Sequence, residues 1–318
     1  MRYLLVLIFL LISCGGGGSS NENGGGSSNE NNVINPPSSN ETCINYDTNI
    51  KKCSFRWDDI ERIYYIKIPL QASENSMLPL LISMHGFGGN ALSHINYTNF
   101  KNIADREGFY LVYPQGSNLP SYLGGSTHWN VGGWTSKSTT DDLGFINKLL
   151  ENMISKYEFD ENRIYATGMS NGGYMSYSLA CNMSNKIAAI ASVTGSMTND
   201  TYDECSPARP ISVMQVHGLQ DSVVPYDGNE GSKSIIDVMG FWAQNNSCEL
   251  EPSRAVTDFE DFAIYYDYYE SCLNNTEVQL ILSSKMGHTW PWTYEEGFSA
   301  SEDIWGFLSK FTLYGKIQ

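Results

Sequence analysis

Residues 168–173 read Gly-Met-Ser-Asn-Gly-Gly, with Ser170 two places from a glycine on either side. Glycines there allow a tight turn between a strand and a helix, which pushes the serine hydroxyl away from the sheet. A serine hydroxyl is a weak nucleophile and needs a base, and the base needs an orienting acid. The chain has five histidines, and of these only His217 and His288 follow Ser170. His217 opens the run His-Gly-Leu-Gln-Asp-Ser-Val-Val-Pro, and His288 sits in Gly-His-Thr-Trp-Pro. Asp221 as acid leaves His288 as base, in the chain order serine, acid, histidine. Asp227 is the rival acid, but it lies beyond Pro225. His217 then reads as a histidine bonded within its own loop. A second glycine-rich turn, His85-Gly86-Phe87-Gly88-Gly89, can aim the Phe87 N–H at a developing oxyanion, together with the N–H of Asn171. His85 reads as a brace for that turn. The chemistry open to this set is acyl transfer through a serine.

Each of these motifs follows a short apolar run. The runs Ile63–Pro69, Leu78–Met84, Phe109–Tyr113, Arg163–Thr167, Ala188–Thr194, Ile211–Val216 and Val278–Leu282 predict strands. Helical patterns fall between them over Asp141–Tyr157, Tyr174–Cys181, Ser234–Gln244 and Ala300–Phe311. In the first of these, Leu143, Ile146, Leu150, Met153, Ile154 and Tyr157 form the apolar face. Tyr265–Tyr269 alternates like an edge strand. Strands alternating with helices imply an α/β fold, a mostly parallel sheet covered on both faces, in one domain. In such a sheet, function gathers at the carboxyl ends of the strands. Four of the seven tryptophans, Trp129, Trp134, Trp290 and Trp292, fall in the motif loops. Their faces suit substrate binding at a cleft mouth, with packing of the loops as the alternative.

The remaining sequence sets the compartment and excludes some partners. With 19 Lys+Arg against 35 Asp+Glu, the net charge of −16 leaves no basic face for nucleic acid. Residues 1–13 carry Arg2 and an apolar run from Tyr3 to Ile12, which reads as a secretory signal too short to span a bilayer. Leu11-Ile12-Ser13-Cys14 resembles a bacterial lipobox, predicting Cys14 as a lipidated N-terminus; an ordinary signal peptide is the alternative. Residues 14–41 are rich in Gly, Ser and Asn and read as a flexible tether, with the globular body over 42–318. Six cysteines remain after Cys14, an even number that suggests disulfides in an exported chain. They allow fifteen connectivities. The sequential set, Cys43–Cys53, Cys181–Cys205 and Cys248–Cys272, is expected because each pair closes a local loop. No Cys/His cluster has zinc spacing, so a structural metal is not expected, and acyl transfer through a serine needs no cofactor.

Taken in order, the motifs His85–Gly89, Trp129-Asn130, Asp141–Ile146, Arg163–Met175, His217–Tyr226 and Gly287–Pro291 resemble the secreted polyhydroxybutyrate depolymerase/feruloyl esterase-like family of α/β-hydrolases. The likeness runs roughly from Tyr64 to the C-terminus. It implies a serine esterase with Ser170, Asp221 and His288 as its triad, and it supports the Cys248–Cys272 pair. Val131-Gly132-Gly133-Trp134 stands where the family often has a cysteine pair, and Ser283–Gly287 replaces its glycine run before the histidine. The expectation is an exported carboxylesterase, lipid-anchored to a bacterial membrane and acting on a polymeric or oligomeric ester without an obligate protein partner. A serine peptidase of the same fold and a non-catalytic glycan-binding module are the alternatives.

Overall fold

The computed structural model describes residues 41–73 and 76–317; the expected signal, Cys14 and the tether up to residue 40 lie outside them. The described chain starts with three antiparallel strands, β1 (Thr42–Asp47), β2 (Ile50–Trp57) and β3 (Ile60–Lys67). Next come β4 (Leu78–Met84), α1 (Ala91–Tyr97), α2 (Phe100–Glu107) and β5 (Tyr110–Pro114). A small ribbon, β6 (Ser117–Asn118) with β7 (Thr127–His128), leads to α3 (Asp142–Lys156), β8 (Phe159–Met169) and α4 (Asn171–Asn182). Then follow β9 (Ala189–Val193), α5 (Asn199–Glu204), β10 (Ser212–Gly218) and α6 (Ile235–Asn245). The last part holds β11 (Ser253–Asp258), β12 (Ala263–Tyr269), β13 (Val278–Ser283), α7 (Thr293–Glu296) and α8 (Ala300–Leu308), closed by the ribbon β14 (Phe311–Thr312) and β15 (Gly315–Lys316).

Eleven strands form one sheet in the order β1-β2-β3-β5-β4-β8-β9-β10-β13-β12-β11. The six central strands, β5 to β13 in that order, are parallel, and antiparallel strands extend both sides. Burial on both faces explains the continuous apolar runs. In β4, Leu80, Ile82 and Met84 enter one core layer, while Leu81 enters the other. From β4 the chain moves outward to β5 in one direction and crosses to β8 in the other. This reversal opens a crevice at the carboxyl ends of β4 and β8.

The predicted strands and helices are present with small shifts at their ends. Three details differ. Tyr265–Tyr269 lies in β12, which pairs on both sides, so the edge strand is β11. The buried face of α3 is Asp142, Phe145, Ile146, Leu149, Leu150, Asn152 and Met153, whereas Ile154 is exposed, because Phe145 and Leu149, left out of the expected stripe, lie at helical spacing with Ile146, Leu150 and Met153 and turn that face inward. The strands β1 and β11, exposed along their whole lengths, carry no apolar pattern that would have announced them. Disulfides join Cys43 to Cys53, Cys181 to Cys205 and Cys248 to Cys272.

Candidate active site

Ser170 stands between β8 and α4 at φ 53°, ψ −121°, a conformation that costs a residue with a side chain about 1–3 kcal/mol. The surroundings hold it there. Its N–H donates to Val193 O at 2.8 Å on the neighbouring β9, and its carbonyl accepts from Tyr174 N at 3.0 Å in α4. The following glycine is sterically required. A Cβ on Gly172 would lie 2.2 Å from Met84 O, so only a bare backbone lets α4 start against the end of β4.

Asp221 and His288 arrive on adjacent parallel strands, β10 and β13. Beyond the strand ends their loops stay joined, with Leu219 N donating to Ser283 O at 3.0 Å and Gln220 N to Met286 O at 3.1 Å. A Cβ on Gly218 would lie 1.9 Å from Met286 O, so this approach also needs glycine. His288 Nδ1–H donates to Asp221 Oδ2 at 2.8 Å, which leaves Nε2 as the basic nitrogen. The other carboxylate oxygen accepts from Val223 N and Val224 N, each at 2.9 Å. Burial pushes the Asp221 carboxyl up, but the His288 bond and these two N–H groups more than offset it, and the net shift is below the ordinary carboxylate value. Asp227, the rival acid, is exposed. His217 donates Nε2–H to Val224 O at 2.9 Å and accepts from Gln215 Nε2 at 2.9 Å, and so braces the turn that carries Asp221. Burial lowers its pKa to about 4, so at neutral pH it is uncharged.

Phe87, Tyr97, Met169, Ser170 and His288 line one cleft of about 330 Å³. Gly86 reaches Ser170 closely enough that a Cβ on it would sit 3.3 Å from the serine Cβ. His85 braces this turn from below. Its Nε2 accepts from Gly116 N at 3.0 Å, which places the proton on Nδ1 for donation to Gly86 O at 2.7 Å. A larger cavity of about 470 Å³, by Glu277 and Lys310 at the amino end of β13, contains none of these groups.

The tryptophans divide, and two depart from expectation. Trp129 is 0% exposed, with its indole N–H donating to His85 O at 2.9 Å. Trp290 is 1% exposed, donates Nε1–H to Ser301 Oγ at 3.0 Å, and packs against His94 and Phe100. Neither offers a face to a ligand, because both rings are closed off from the surface, and each indole N–H is given to an interior acceptor. Trp292 is half-buried against the core layer under α8. Trp134 is the open one: 43% exposed, edge-on to Phe87 at 5.9 Å and to Tyr174 at 5.6 Å. The motif search missed Tyr97, whose hydroxyl accepts from Trp290 N at 3.1 Å and so ties α1 to the loop carrying His288. It also missed the function of Asp142, which pairs with Arg62 at 2.5 Å and accepts from Asn130 N at 2.7 Å, out of water. An arginine among the apolar residues of β3 was the available signal, since a buried cation requires a buried partner.

Residues 69–266 match the phospholipase/carboxylesterase family of α/β-hydrolases. The chain is 27% identical over 257 residues to a bifunctional acetylxylan esterase/xylanase of Neocallimastix patriciarum, covering 80% of this chain and 34% of that protein. It is 28% identical over 261 residues to feruloyl esterase B of Piromyces equi, covering 78% of this chain and 45% of that one. The chain therefore spans less than half the length of either relative. Among solved structures, an acetyl xylan esterase from Aspergillus awamori superposes with a TM-score of 0.57 at 15% identity, covering 78% of this chain and 94% of the other. An acylaminoacyl peptidase gives 0.54 at 16% identity, over 85% of this chain and 42% of the other. At these identities the likeness is one of fold alone. The family match, which takes in more than half of the residues, shows that this chain belongs to the phospholipase/carboxylesterase family of α/β-hydrolases.

Proposed function

We propose that the chain is an exported serine carboxylesterase acting on ester bonds of an extracellular polymer or its fragments. The observation that carries this reading is the 2.8 Å bond between His288 and Asp221, made by a histidine that shares a cleft with a serine held at positive φ. Ser170 Oγ attacks the ester carbonyl while His288 Nε2 takes its proton, and Asp221 stabilises the imidazolium that forms. The Phe87 and Asn171 N–H groups receive the oxyanion. His288 returns the proton to the departing alcohol, and water then releases the acyl group by the same steps. The names of the relatives support an acetyl or feruloyl group on a plant polysaccharide as acyl donor. Hydroxybutyrate and aromatic polyesters remain members of the same chemical class. Three disulfides support export, since such bonds persist in oxidising compartments. A lipid on Cys14 would hold the enzyme at a bacterial membrane.

The test is hydrolysis of short p-nitrophenyl esters, acetylated xylan, methyl ferulate and polyhydroxybutyrate by the full chain beside Ser170→Ala. The expected result is ester hydrolysis that the variant loses by a factor on the order of 10⁶. Activity that survives in Ser170→Ala, or cleavage of amides in preference to esters, would overturn the reading.

A further inference from the structure

We propose that Trp129 is a positioning residue that fixes the two halves of the oxyanion hole to each other. This rests on the esterase reading and goes beyond it, because Trp129 touches no substrate. The two donors come from different strands. Phe87 follows β4, and Asn171 follows β8. The register between β4 and β8 ends at Met84 opposite Gly168, so the sheet ladder itself stops short of both donors. Phe87 is 46% exposed and its loop needs support from elsewhere.

Trp129 supplies that support on both sides. Its indole N–H holds His85 O at 2.9 Å, two residues before Phe87. Its main chain is gripped by the Asn171 side chain, which accepts from Trp129 N at 2.7 Å and donates to Trp129 O at 3.0 Å. The side chain of Asn171 is thus engaged while its backbone N–H remains with the site. Neighbours reinforce the rail: Gly88 N donates to Thr127 O at 2.8 Å, and the Asp142–Arg62 pair holds Asn130 N from behind. Trp129, Asn171 and Asp142 are all at most 2% exposed, so water does not compete for these bonds. A tryptophan meets the need because its N–H lies far enough from its own backbone to bridge both segments.

Removing one oxyanion donor outright costs roughly 10²–10³ in kcat, so misplacing one costs less. Trp129→Phe keeps most of the ring and removes the N–H. The expected result is a fall in kcat on the order of 10- to 100-fold, with KM within about twofold. Affinity for phenylboronic acid, which forms a tetrahedral anion on the serine, falls by the same factor. Rates are counted per active site titrated with a fluorophosphonate, so loss of folded protein does not mimic the effect. Asn171→Ala is the second variant. It keeps the backbone N–H, gives the same kcat loss, and adds little to Trp129→Phe in the double variant. It carries the test if Trp129→Phe does not fold. Unchanged kcat per titrated site overturns the proposal, as does a rise in KM at constant kcat, which would make Trp129 a substrate contact. If Ser170→Ala retains hydrolysis, the esterase reading itself falls; an inert Ser170→Ala beside a fully active Trp129→Phe overturns this inference alone.

Discussion

Trp129 and Trp134 are five residues apart in one loop, yet they belong to opposite halves of the site. Trp129 is sealed, with its N–H and main chain committed to two strand ends, while Trp134 leaves 43% of its surface open beside Phe87. The sealed half also contains the Asp221 carboxylate and the braces His85 and His217, while Ser170, partly exposed in the cleft, is fixed through its backbone bonds to Val193 and Tyr174. The open half consists of Phe87, Trp134 and the exposed rim of Tyr97. Ser170 and Asp221, proposed to do chemistry, are held by several partners each, whereas the side chains of Phe87 and Trp134, proposed to meet substrate, make ring contacts alone. Preorganised donors act only if they do not move as charge develops, and a rim that accommodates a polymer does not carry that requirement.

The sharpest way to break this division is at its sealed centre. Asp221→Asn removes the charge under His288 without changing volume, and kcat should fall by about 10⁴ while KM stays near its native value. A change confined to KM would place Asp221 in the open half. Trp290→Ala tests whether a motif-loop tryptophan can be wholly structural. Its cavity should lower unfolding stability by about 3–5 kcal/mol in urea titrations, and activity per titrated site should fall far less.

Three of the four buried histidines, His85, His94 and His217, sharpen the contrast through pH. Burial lowers His94 to about 3, and His85 and His217 to about 4. Between the ordinary histidine value and these folded values the unfolded chain binds more protons, so stability is complete above about pH 6.5 and falls as pH drops toward 4. The loss from pH 7 to pH 5 should be on the order of 1–2 kcal/mol per histidine, read from urea midpoints. A midpoint flat across that range would show that these rings are not sealed. The smallest effect belongs to the open half. Trp134→Ala should raise KM for methyl ferulate, whose acyl group is aromatic, by roughly three- to tenfold and leave ethyl acetate, which has no ring, nearly unchanged. Equal losses on both would move Trp134 to the sealed side.

The central strands and the Ser170, Asp221 and His288 positions could be read from the sequence because their signals are local. A strand buried on both faces is apolar throughout, and each chemical group directly follows one. The structure then adds what no local pattern contains. β1 and β11 are exposed at every position, so their strand character comes from their partners and not from an apolar face of their own. Trp129 resembles Trp134 in any window of sequence, and only contacts with His85 and Asn171, 44 and 42 residues away, separate them. The burial of Asp142 has the same origin, since its partner is Arg62, 80 residues earlier. Tyr97 meets its loop across 193 residues.

The position of the Cys43–Cys53 bond has a mechanical consequence. Residue 42 begins the outermost strand of the sheet, so once the bonds of the Glu41 carboxylate to Tyr64, Asn152 and Lys156 give way, tension from upstream acts on an edge. Pulling an edge strand away from its neighbour breaks hydrogen bonds one at a time, the direction in which a sheet resists least. Cys43 is the second residue of that strand and is bonded to its cross-strand partner in β2, so peeling stops almost where it starts. The load passes to β2, which pairs along its full length with β3 and through it with the central sheet. A body attached to a surface by its N-terminus would therefore stay folded under drag, and reduction of this one bond should lower the force needed to unravel it.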